Sequence, residues 1–178
     1  MSYIFMLLIL LSPSLGTPRR QPAPTPQKAY CERSFTNFAW GYQHKGIYID
    51  PEGNLYSYSY QPKDKPWSPK QDDAPTAAEL EDKYSHGRKL LRKLEPEEWQ
   101  AKRKLLAAAS KGEMSKRKQS GADMGSQVCR CYVADATGQQ YKQIELRVQG
   151  DWSYENLAPS AKMLADWLES LSASAEKK

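Results

Sequence analysis

Residues 46–60 read GIYIDPEGNLYSYSY. Gly46 to Asp50 and Asn54 to Tyr60 read as the two strands of a hairpin around Asp50-Pro51-Glu52-Gly53. Pro51 presets φ at the second turn position, and Gly53 can take the left-handed conformation that closes a type I turn with a G1 bulge. This turn pairs Asp50 with Asn54, and therefore Ile49 with Leu55 and Tyr48 with Tyr56. Side chains two apart share one face of a strand, so Tyr48, Tyr56, Tyr58 and Tyr60 line one face of the predicted hairpin. Tyr58 falls opposite Gly46, where it can cover bare backbone.

The same turn chemistry recurs later in the chain. Val128 to Ala134 and Tyr141 to Gln149 flank Asp135-Ala136-Thr137-Gly138, and Ile144, Leu146 and Val148 alternate with Glu145, Arg147 and Gln149. The simplest register sets Arg130 opposite Ile144, a mismatch that argues against that register. Ahead of the first hairpin, Ser34 to Tyr42 (SFTNFAWGY) reads as a further strand.

Helices are predicted between and after the hairpins. Thr76-Ala77-Ala78-Glu79 is a capping-box pattern. Leu80, Tyr84, Leu91 and Leu94 follow one helical stripe, which Gly87 breaks into two pieces. Glu95-Pro96 opens a helix with proline at its first position, and Gly112 ends it just after Ser110, with Trp99, Leu106 and Ala109 on the buried side. Glu113 to Gln127 reads as a polar loop. Pro159 to Ser172 is amphipathic, with Leu164, Trp167, Leu168 and Leu171 on its stripe. Strands, helices, strands and a helix in that order imply an α+β fold, an antiparallel sheet built from two hairpins with helices packed on one face.

The beginning of the chain has a different character. Ile4 to Leu11 is unbroken apolar sequence, and Ser14 and Gly16 place small residues at −3 and −1 of a cut before Thr17. Residues 1–16 therefore read as a secretory signal peptide. As a helix the run would rise only about 12 Å, short of the roughly 30 Å of a bilayer's hydrocarbon core. Residues 17–28 (TPRRQPAPTPQK) form a Pro-rich linker suited to polyproline II. Residues 29–178 remain as a single α+β domain, secreted or periplasmic and not integral to a membrane once the signal is cleaved. An aromatic content of 11% excludes wholesale disorder.

Asn37-Phe38-Ala39-Trp40-Gly41-Tyr42, Gly46, Ile49-Asp50 and Gly53-Asn54-Leu55-Tyr56 resemble the opening of small exported bacterial proteins of unknown function. Leu146, Gly150-Asp151, Asn156 and Trp167-Leu168 are similar to the end of the same group. The resemblance implies export and a single domain, and it carries over no catalytic residue.

Export permits disulfides. Cys129 and Cys131 lie two apart on a strand and face one side, while Cys31 precedes the first strand read above. A bridge from Cys31 to Cys129 or to Cys131 would close a loop of roughly a hundred residues. Three cysteines leave one over. The alternative, a thiolate metal site completed by His44 or His86, lacks zinc-ribbon spacing, and no cofactor motif is present. Neither histidine sits in a triad motif: His44 beside Lys45 suits a turn, and His86 beside Gly87 suits a helix end. Asp151 and Asn156 could bind a sugar or cation with Trp152 and Tyr154, or could hydrogen-bond a turn and cap the last helix.

Two surfaces are candidates for a ligand. The tyrosine face (Tyr48, Tyr56, Tyr58, Tyr60) can stack on sugars or peptides, unless it is the core face of the sheet. The segment from Lys83 to Lys118 carries net +8 in a chain of net +5, and within it Arg88, Lys89, Arg92 and Lys93 would offer a basic helical face to an acidic polymer or lipid surface. No nucleic-acid signature accompanies these cations. The reading is a non-enzymatic binding module for an envelope or extracellular ligand. Its alternative is a small exported hydrolase using Asp151 with His44 or His86.

Overall fold

The computed structural model describes residues 27–175 apart from positions 40 and 72. The signal peptide expected over residues 1–16 and most of the linker expected over 17–28 lie outside the described residues.

The hairpin at residues 46–60 forms in the register its turn dictates. Strands β2 (Gln43–Ile49) and β3 (Asn54–Ser59) pair Ile49 with Leu55, Tyr48 with Tyr56 and Gly46 with Tyr58. The Asp50 carboxylate accepts from the backbone N–H groups of Glu52 and Asn54, so the turn itself uses that charge. β1 (Ala29–Asn37) starts and ends earlier than the strand expected over Ser34 to Tyr42. It is a central strand, paired with β2 on one side and with β6 (Ser126–Ala134) on the other. A Cβ at Gly46 would overlap the Arg33 carbonyl, so glycine there permits the close β1–β2 approach.

β6 and β7 (Tyr141–Gly150) make the second hairpin. Its loop is longer than the first, closed by Asp135 N–H donating to the Gln140 carbonyl. Its register also shifts at Cys129/Arg130. Arg130 consequently stands opposite Glu145 and Cys131 opposite Ile144, which removes the mismatched pair.

The sheet is more than two hairpins. Eight strands lie in the order β4-β3-β2-β1-β6-β7-β8-β5, every neighbouring pair antiparallel, where β4 is Lys89–Lys93, β5 Lys118–Gln119 and β8 Trp152–Glu155. The β1–β6 pairing joins the two hairpins into one sheet. Three strands escaped the sequence reading for physical reasons. The second piece of the stripe around Gly87 is β4 and not a helix, because Gly87 takes φ +56 and turns the chain to pair with β3. β5, inside the expected polar loop, and β8, between the second hairpin and the last helix, are two and four residues long, too short for alternation to mark them.

The helices α1 (Ala77–Ser85), α2 (Pro96–Ala109) and α3 (Pro159–Ala175) begin where their caps and prolines predict. The Thr76/Glu79 capping box is complete. They do not share one face of the sheet. α2 and α3 pack over Cys31, Ile47, Ile49, Leu55, Ile144 and Leu146, with the Trp99 and Trp167 rings stacked at 6.1 Å. α1 covers the opposite face, over Tyr30, Tyr48, Tyr58, Tyr60 and Tyr132. Both faces of the central strands carry apolar side chains, so a single helical layer would leave one of them wet. The tyrosine face is therefore core: Tyr48 and Tyr58 are each 2% exposed and Tyr60 6%, while Tyr56 alone keeps part of its surface. Among the described residues no helix is long and apolar enough to cross a membrane.

Candidate functional site

Beneath α1 lies a charged network in an aromatic setting. Glu32, on β1, is fully buried. Its Oε1 receives Lys83 Nζ at 2.6 Å, and its Oε2 accepts from the Tyr58 hydroxyl at 3.0 Å. Arg130 Nε lies 3.3 Å from the same carboxylate. Lys83 also donates to the Tyr132 hydroxyl and sits 4.4 Å from the Trp67 ring centroid. His44 bridges the Tyr42 and Tyr58 hydroxyls at 3.0 Å each. Burial pushes the Glu32 carboxyl upward, but Lys83 and Arg130 outweigh it and hold the group below the ordinary carboxylate range. Burial drives His44 down to about 4, against the opposing pull of Glu32. Glu32 and Lys83 are sealed beneath α1, so this ion pair ties the helix to the sheet, whereas the Arg130 side chain is 21% exposed.

Both shifts have the same consequence in acid. A neutral His44 contributes stability that is complete above the ordinary histidine value and is lost as the pH falls toward 4. Glu32 contributes stability that is complete above the ordinary carboxylate value and is lost as the pH falls further. The urea midpoint is expected to decline from pH 7 to pH 4, and His44→Gln should flatten the upper part of that decline. A midpoint rising on acidification would contradict this account.

On the opposite face, Cys31 and Cys131 stand directly across the β1–β6 ladder and form a disulfide. Cys129 is the remaining thiol, buried and pushed up to about 12 mainly by that burial, which leaves it a packing group and not a nucleophile. Among the described residues no three His, Cys, Asp or Glu side chains gather as a metal site.

The same face carries an open groove of about 610 Å³ beside the end of α3. Strand registers put its side chains in two rows across the sheet. One row runs Arg33, Ile47, Ser57, Lys89 through β1, β2, β3 and β4; the other runs Phe35, Lys45, Ser59. Ser172 and Ala175 of α3 form one wall. Arg33 donates to the neutral side chains of Ser172 and Gln127, and Lys45 lies 5.9 Å from the Phe35 ring centroid. Among the described residues, none of these three cations has a carboxylate partner. The groove thus concentrates positive charge over a floor with two serine hydroxyls.

No protein-family model, curated protein or solved structure matches this chain.

The basic residues singled out in the sequence are scattered by the fold. Arg88 pairs with Glu81 at 3.2 Å on the α1 face, and Arg92 lies 3.9 Å from Glu98. Lys93 is exposed on the edge strand β4, and only Lys89 enters the groove. The expected basic helical face does not exist, since Lys83 is buried and Lys89 to Lys93 are strand. Arg33 and Lys45 were missed because they lie outside the charged segment. Their signal was phase: each occupies the inward-facing position of its strand, alongside Cys31 or Ile47, where an apolar residue is expected.

A second groove, of about 630 Å³, opens on the α1 side of β6, β7 and β8, lined among others by Asn37, Phe38, Asp123, Arg130, Asp151 and Tyr154. Asp151 and Tyr154 meet here as the sequence suggested, but Asn156 does not join them: its side-chain amide donates to the carbonyls of Ala109 and Glu145. Asp151 accepts from the Met124 N–H. Neither histidine lines this groove, because His44 is held by Tyr42 and Tyr58 and His86 by Asp64. Asp151 is thus not brought together with His44 or His86.

Proposed function

We propose that this protein is an exported, non-enzymatic binding module that takes an anionic ligand of the cell envelope or extracellular space in the groove of Arg33, Lys45 and Lys89. The observation that carries this reading is the convergence in one concave site of three cations that have no carboxylate partner among the described residues. Other cations packed against the sheet are paired: Lys83 and Arg130 with Glu32, and Arg147 with Glu155, Asp166 and Glu169. Export is supported by the composition of residues 1–16 and by the Cys31–Cys131 bridge, since disulfides persist in oxidising compartments.

The test is retention of the mature protein on anionic matrices over a salt series. Retention is expected at low ionic strength and should fall steeply as salt screens the exposed cations. The triple variant Arg33→Ala, Lys45→Ala, Lys89→Ala should bind at least about tenfold more weakly, each exposed ionic contact contributing some tenths of a kcal/mol up to about 1. Equal retention of the triple variant would refute the groove as the site, and no retention on any anion would refute the function.

A further inference from the structure

The groove does more than collect charge. Arg33 and Lys89 end one row and stand three strand spacings apart, about 14 Å. Ser57 lies between them in that row, and Lys45 and Ser59 flank it in the next, with the Phe35 ring at the β1 end. A compact anion such as phosphate is too small to contact cations at both ends. A bilayer surface is too flat to reach the floor, because Ser172 and Ala175 of α3 wall one side.

Resting on the function proposed above, we infer that the ligand is an acidic polysaccharide bound in extended form across the strands of the sheet. Each chemical feature of the groove has a counterpart in such a chain. Its carboxylates are spaced along a stiff backbone and can reach Arg33, Lys45 and Lys89 in turn. Its hydroxyls match Ser57 and Ser59, and the apolar face of one sugar ring can lie on Phe35. A hexose repeats at close to one strand spacing, so a run of three to four sugars fills the row from β1 to β4.

The experiment is calorimetric titration of the full mature chain with galacturonic acid, with oligogalacturonates of increasing length, with inorganic phosphate, with anionic phosphatidylglycerol vesicles and with oligothymidylate of matched charge. The monomer and phosphate should bind weakly. Affinity should climb by about tenfold or more from dimer to tetramer, as tethered contacts add, and level off beyond it. Lys89→Ala should cost the tetramer several-fold while leaving the dimer less affected, because the dimer can occupy the Arg33/Lys45 end alone. Affinity independent of oligomer length, or tighter binding of vesicles or oligothymidylate than of the tetramer, would overturn the polysaccharide assignment and leave anion binding standing. Failure of every anion to bind would overturn both.

Discussion

Replacing Lys83 with methionine is expected to lower the stability of the domain at pH 7 by about 3–5 kcal/mol, the range for removing one partner of a buried ion pair. Lys83 reaches across from α1 to Glu32, and neither side chain has more than a trace of exposed surface. Methionine fills much of the same volume, so the cost is electrostatic and not a cavity. With Lys83 gone, Glu32 keeps only Arg130 at 3.3 Å and the Tyr58 hydroxyl at 3.0 Å. With a urea slope of roughly 2 kcal/mol/M for a chain of this size, the midpoint should move down by about 2 M. The double variant E32Q/K83M is expected to lose less than K83M, because no unpaired carboxylate remains in the core. A K83M midpoint equal to that of the parent would show that α1 is held by its apolar contacts alone.

Removal of the Cys31–Cys131 bridge is the other large effect. The two residues are 100 apart in sequence and directly opposite on β1 and β6, the pairing that joins the two hairpins. On the loop-entropy model, a closed loop of that size stabilises the native state by about 4–5 kcal/mol. Urea denaturation with and without reductant, in a Cys129→Ala background that prevents exchange with the third thiol, should show a loss of that order. A loss below about 1 kcal/mol would mean that the reduced, unfolded chain still holds β1 near β6.

Legibility in the sequence followed the range of the interactions. The first hairpin could be read residue by residue because Pro51 and Gly53 specify a turn, and a turn specifies its register without help from the rest of the chain. Trp99, Leu106 and Ala109 on α2, and the stripe of α3, were readable because helical periodicity is local. The second hairpin was half readable: Arg130 against Ile144 exposed a wrong register, but the compensating bulge has no sequence signature. The charged site was the least legible part. Twelve basic residues between Lys83 and Lys118 drew attention to that segment, yet once β4 forms Arg88 pairs with Glu81, Arg92 lies beside Glu98, and of these three only Lys89 lines the groove. Glu32, Lys83 and Arg130 each occupy an apolar phase of a strand or helix, an inconsistency that becomes meaningful only when the three side chains are seen to meet.

By itself the sequence determined the turns, the caps and most of the element types, since each rests on backbone preferences within a few residues. It also determined the alternation of Ile144, Leu146 and Val148 with polar neighbours along β7. The tertiary structure alone decided that the tyrosine face is core, that Cys131 and not Cys129 bonds Cys31, and that Arg33 and Lys45 join Lys89. Each of those outcomes depends on which strand lies beside which. The pairing of β1 with β6 and of β3 with β4 spans long stretches of chain, and it is selected by the burial of both sheet faces together, not by any local run of residues.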